Sequence, residues 1–167
     1  LPRPAGHVEG AKAVRATVEA AARAGIGTLT LYAFSSANWL RPEAEVTGLM
    51  FLLRRYLFTE TRRCTEESIR LSIIGRRDRL SDSLLRAIEQ SEQLTAAGSR
   101  MHLRLAVDYS SQQSILEAAR RAHRCRELTP QDFQLLLHQV DSSSLPAPEV
   151  DLLIRTGGEQ RLSDFLL

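Results

Sequence analysis

Short β-rich apolar segments alternate along this chain with longer segments of helical period, and that alternation restricts the fold more than any other feature. Residues 8–24 carry Val8, Ala11, Val14, Val18 and Ala21 or Ala22 at helical spacing, and Gly25 is a natural stop. Residues 28–34, Thr-Leu-Thr-Leu-Tyr-Ala-Phe, read as a strand, and 35–39 as a loop. Pro42 sits at a tolerated entry position for a helix that runs to about residue 65 with Val46, Leu49, Met50, Leu53, Leu57 and Phe58. A second strand spans 69–74 and ends at Gly75, and Ser81 can cap a helix to about Ala96. A third strand spans 101–107, a helix 111–124, and Thr129-Pro130 starts a short helix. Residues 142–148 are a loop, and 150–154 the last strand. The prediction is an α/β domain of three layers, a mainly parallel sheet flanked by helices.

Composition agrees with a single domain over 1–167. The 167 residues are 43% hydrophobic and 25% charged, which excludes a disordered tail, a collagen or a disulfide-rich miniprotein. No apolar run approaches the roughly 18 residues of a membrane-spanning helix, and Leu1-Pro2-Arg3-Pro4 carries no apolar signal-peptide core. A formal net charge of +2 argues against a dedicated nucleic-acid binder. Lys12 is the only lysine, leaving 21 arginines, the residue suited to forked contacts with phosphate. Cys64 and Cys125 lie far apart without CxxC spacing and read as free thiols of a reducing, cytoplasmic compartment.

In such folds ligands bind beyond the carboxyl ends of the strands, which singles out the segments after Phe34, Gly75, Val107 and Ile154. After Ile154, Gly157 and Gly158 let the backbone turn tightly. Arg155, Arg161 and Ser163 supply donors of the kind a diphosphate needs, and Glu159 between them can hold a metal or fix an arginine. After Phe34, the residues Ser35, Asn38 and Arg41 interleave with Phe34 and Trp39, as in a pocket with polar and apolar walls. For a lone aromatic, a core position is the safer expectation. Arg3 and His7 precede the first predicted helix, whose N-terminus favours an anion.

Four motifs occur together in one order: Gly6-His7 before a helix, LTLYAFSSANWLRP at 29–42, LSIIG at 71–75, and DLLIRTGGEQRLSDFLL at 151–167. In this the chain closely resembles the cis-prenyltransferases over essentially its whole length. The resemblance implies an α/β cis-prenyltransferase fold, a homodimer, and Mg²⁺-dependent condensation of isopentenyl diphosphate with an allylic diphosphate. It implies that Arg3 and His7 assist the allylic diphosphate, and that Arg155, Arg161 and Ser163 bind isopentenyl diphosphate. Ser35, Asn38, Arg41 and His7 match positions near the reacting centre. Phe34, Trp39 and Ala33 match substrate-pocket positions, and Glu159 a glutamate of the same motif. A growing isoprenoid needs an apolar tunnel; Leu49, Leu52, Leu53, Leu57, Met101 and Leu103 suit its walls, although ordinary core is the stronger expectation for any one of them. A peripheral membrane contact that releases a greasy product belongs to the same set of expectations.

The sequence departs from that family in three places. The DGNGRWA loop, which carries the family's central metal-linked aspartate, is absent, and so is the later segment with its Mg²⁺-binding glutamate. These absences imply a domain incomplete at both ends and inactive as written. Asp108-Tyr109-Ser110-Ser111-Gln112-Gln113-Ser114-Ile115 stands where the family has NYGGRxDI. Two alternatives follow: an irregular prenyl-coupling enzyme on the same fold, or a non-catalytic subunit that supports an active partner.

Overall fold

A computed structural model describes residues 3–123, 127–143, 147–156 and 158–166. The order is α1 (Arg3–Arg23), β1 (Thr28–Ser35), a 3₁₀ turn (Ser36–Leu40), α2 (Glu43–Glu66), β2 (Ile69–Ile74), α3 (Asp82–Leu94), β3 (Met101–Tyr109), α4 (Ser111–Ala122) and α5 (Pro130–Val140). Local chemistry sets many of these boundaries. Gly25, at φ +76°, ends α1, because a side chain there would be strained. Ser81 and Ser110 accept backbone N–H bonds at the starts of α3 and α4. Thr129 and Asp132 cap α5 reciprocally, with Pro130 in the first turn.

The sheet is parallel, in the order β1-β3-β2. Its middle strand is buried on both faces, as a parallel strand covered by two helical layers should be. Met101, Leu103, Leu105 and Val107 face a core shared with Val18 of α1, Leu57 of α2 and Leu84 and Ile88 of α3. The alternate residues of β3 face the other way. There Ala106 packs with Ile74, Tyr109 joins them beyond the break in alternation at Asp108 (φ +51°), and Arg104 is coupled electrostatically to His138 and Asp141 at α5. Gly75 is obligatory: it has φ +116°, and a Cβ would lie 2.1 Å from the carbonyl oxygen of Val107. This close crossing brings the carboxyl ends of β2 and β3 together.

Two sequence expectations are corrected. The first helix begins at Arg3, so Arg3 to His7 lie in its opening turns and not before it. Pro4 permits this, since the first turn of a helix has no use for its missing N–H. The side chains of Arg3 and His7 lie outside the described residues. Residues 150–154 form no strand: Val150, Leu152 and Ile154 are 57%, 75% and 77% exposed. An apolar run becomes a strand only where a neighbour accepts its backbone bonds. Among the described residues, β1 carries no ladder on its outer side. The outer edge of β2 is taken by α3, whose Thr95 and Glu92 accept the N–H groups of Leu71 and Ile73.

Candidate functional site

The carboxyl ends of the three strands converge on one buried carboxylate. Asp108 is fully enclosed and sits at φ +51°, between Val107 and Tyr109 at the end of β3. Arg79, in the loop between β2 and α3, holds it with two bonds, Nε to Oδ2 at 2.9 Å and an Nη to Oδ1. The Ser36 hydroxyl donates to Oδ1 at 2.9 Å. A buried carboxylate so paired and hydrogen-bonded is a fixed point. Arg79 passes the constraint on, because its guanidinium lies 5.2 Å from the centroid of the Trp39 ring. Trp39 in turn meets the buried Phe34 edge to face at 5.5 Å. The Trp39 indole N–H is buried and has no acceptor among the described residues.

On this frame sits the turn that follows β1. Asn38 accepts the Ser35 backbone N–H at 2.9 Å, which leaves its NH₂ group as a donor. Arg41 is engaged by Glu45 at 2.6 Å. Ala33 is exposed, whereas Leu49, Leu53 and Met101 belong to or pack on the main core.

The second group is a single turn. Arg155 donates to Ser163 Oγ at 2.9 Å, to the Arg161 carbonyl, and to Glu159 at 3.3 Å. Arg161 Nε also reaches Glu159, at 2.6 Å. Four of the residues singled out in the sequence are thus gathered on exposed loop; Gly157 lies outside the described residues. The chain beyond is anchored at the strand ends. Phe165 stacks on Tyr32 at 4.5 Å and meets Tyr109 at 5.9 Å, and Asp164 accepts the Gln112 N–H at the start of α4.

The Mg²⁺ that the resemblance implies finds no ligand set here. Among the described residues no three His, Cys, Asp or Glu side chains cluster. Asp108 is clasped through both oxygens by Arg79, whereas Glu159 meets Arg155 and Arg161 through Oε2 alone and keeps Oε1 as a further acceptor. Cys64 is a buried free thiol, pushed up to about 11 by burial and then by Glu60, which disfavours the thiolate; Cys125 lies outside the described residues.

The profile described as undecaprenyl diphosphate synthase, of the prenyltransferase family, matches residues 1–167. This chain belongs to that prenyltransferase family. Isoprenyl transferase 1 of Bradyrhizobium diazoefficiens is 51% identical over 167 residues, all of this chain and 66% of its own. The (2E,6E)-farnesyl-diphosphate-specific ditrans,polycis-undecaprenyl-diphosphate synthase of Haemophilus ducreyi is 45% identical over 97% of this chain and 68% of its own. This prenyltransferase chain thus spans about two thirds of the length of those relatives. Lavandulyl diphosphate synthase from Lavandula x intermedia, solved with dimethylallyl diphosphate, superposes with a TM-score of 0.87 at 33% identity. That match covers 97% of this chain and 72% of the other. The α/β fold expected from the alternation is therefore that of the prenyltransferases.

Sequence reasoning missed Ser36, Arg79 and Asp108 as a unit. The strand-end rule pointed to the loop after Gly75, and the departure at 108–115 included Asp108, but neither named its partners.

Proposed function

We propose that the intact protein is a cis-prenyltransferase that condenses isopentenyl diphosphate with an allylic diphosphate to give a Z-isoprenyl diphosphate. What carries the reading is the turn that gathers Arg155, Arg161 and Ser163, in a chain whose relatives are prenyltransferases. In the reaction the allylic C1–O bond breaks and its electrons leave with diphosphate. The π electrons of isopentenyl diphosphate form the new C–C bond at C1, and loss of a proton generates the cis double bond. Arg155, Arg161 and Ser163 hold isopentenyl diphosphate through charged and hydroxyl donors. The Asn38 NH₂ and the Ser35 hydroxyl act beside the reacting carbons. Phe34 and Trp39 form the apolar wall, with Ala33, Leu49, Leu53 and Met101 along the prenyl chain. Arg3 and His7 assist the allylic diphosphate. The protein works as a cytoplasmic homodimer that touches the membrane surface to discharge its product. Dependence on Mg²⁺ requires ligands beyond the described residues, and none of these roles is assigned to the metal.

A second reading has its own support. The likeness to lavandulyl diphosphate synthase, together with the altered 108–115 segment, fits the joining of two allylic units. One assay separates the two. The intact protein receives Mg²⁺, labelled isopentenyl diphosphate and either geranyl or farnesyl diphosphate, and separately labelled dimethylallyl diphosphate alone. Elongated products in the first arms are expected. Product only from dimethylallyl diphosphate would replace elongation by coupling, and product in no arm would point to the non-catalytic subunit.

A further inference from the structure

Helix α2 carries two apolar stripes where a surface helix needs one. Val46, Leu53, Leu57 and Cys64 face the core. On another face Phe51 and Phe58, seven residues and two turns apart, stand 55% and 88% exposed. Leu94 of α3, 57% exposed, lies across from them. Together they wall a groove of about 850 Å³ between α2 and α3, floored by the small residues Thr61, Ala87 and Ser91. A large aromatic left in water this way calls for a reason, because the core gains nothing from it.

The charges around the groove have one sign in excess. Arg54, Arg55 and Arg62 line it together with Glu66, and Glu66 is taken by Arg62 at 2.8 Å. Arg54 and Arg55 make no ion pair among the described residues, and Arg54 lies over the Phe51 ring at 5.8 Å. Aromatic and leucine side chains flanked by uncompensated arginines along about 16 Å of helix are the makings of an interfacial surface. A second copy fits the face poorly, since a two-fold contact would set Arg54 and Arg55 against the same cations.

We infer that the α2–α3 face, through Phe51, Phe58 and Leu94 with Arg54 and Arg55, seats this protein on a bilayer containing anionic lipids. The phenyl rings and Leu94 enter the acyl boundary, and the guanidiniums reach up to the phosphates. The inference gives a surface to the membrane contact proposed above and rests on that reading only for its purpose.

The intact protein is sedimented with vesicles of phosphatidylcholine alone and of phosphatidylcholine mixed equally with phosphatidylglycerol. Binding to the mixed vesicles, weakening as salt is raised, is expected. The double variant Arg54→Gln/Arg55→Gln should bind them about thirtyfold more weakly, at roughly fivefold per cation near an anionic surface. Phe51→Ser/Phe58→Ser should lose at least about tenfold, since exposed rings are removed from the membrane and not from the core. Arg23→Gln, on α1, should bind as the parent does. Circular dichroism checks that each variant is folded. Equal binding to both vesicles, or double variants that bind like the parent, overturns the inference. So does a change in oligomeric size by light scattering in the phenylalanine variant, which would give the face to a second copy. Turnover in detergent is a separate reading: its absence in the parent sinks prenyl transfer and leaves the vesicle result standing.

Discussion

The two arginines of the 155–163 turn do unequal work. Arg155 binds Ser163, Glu159 and the Arg161 carbonyl, so it orders the turn as well as carrying charge. Among the described residues, the Arg161 side chain is paired with Glu159. Arg161→Ala should raise KM for isopentenyl diphosphate about tenfold, the value of one charge-assisted hydrogen bond, and Arg155→Ala should raise it further. Steady-state kinetics with that substrate varied decide it; an unchanged KM in both variants removes the diphosphate assignment. Asn38 allows a finer dissection. Asn38→Asp keeps an oxygen for the Ser35 N–H but loses the NH₂ donor, whereas Asn38→Ala loses both. If the NH₂ acts at the reacting carbons, both variants lower kcat by about a hundredfold, whereas a purely structural Asn38 would leave Asn38→Asp near wild type. The turn and the Asn38 segment were legible because each is one local stretch with its donors in a row. The Asp108 clasp was not, because Arg79 and Ser36 stand 29 and 72 residues away from it and no spacing rule links them.

At the scale of elements, α3 does more than cover the sheet. It closes the outer edge of β2, with Thr95 accepting from Leu71 N–H at 3.1 Å and Glu92 from Ile73 N–H at 2.8 Å. An open edge is a template for unwanted pairing, so this helix both stabilises and protects the sheet. Thr95→Val keeps the shape and leaves the buried Leu71 N–H without an acceptor. It should cost about 1–3 kcal/mol in urea unfolding. A loss below a few tenths would mean that water replaces the hydroxyl. Helix and strand boundaries were readable where a cap, a glycine or a proline marks them, as at Ser81, Gly25 and Thr129-Pro130. The 150–154 segment has the right composition for a strand, yet strand formation depends on an available edge, and a single segment says nothing about edges. In the sequence Phe58 likewise falls into the single apolar periodicity of α2. Only the packing separates Leu57, which is buried, from its neighbour Phe58, which is not.

At the scale of the whole molecule, two half-buried groups pull acid stability in opposite directions. His102 of β3 is pushed down to about 4, first by burial and then by Arg104 and Arg70, and its Nε2 lies 2.8 Å from the Ser72 hydroxyl. Asp141, at the end of α5, is pushed up to about 6 by burial, against the Ser114 hydrogen bond and Arg104. In the unfolded chain these groups titrate near about 6.5 and about 3.9. As the pH falls from about 6.5 towards 4, the unfolded chain protonates His102 while the fold cannot, so stability is lost. As it falls from about 6, the fold protonates Asp141 before the unfolded chain does, so stability is gained. The two contributions oppose each other over the same window. Asp141→Asn keeps an acceptor for Ser114 and removes the compensating titration. Its Tm should therefore drop more steeply than that of the wild type between pH 6.5 and 4, whereas His102→Gln should gain stability over the same range. Parallel Tm–pH curves for the wild type and Asp141→Asn would show that Asp141 titrates alike in both states, and the balance would then have to be sought elsewhere in the fold.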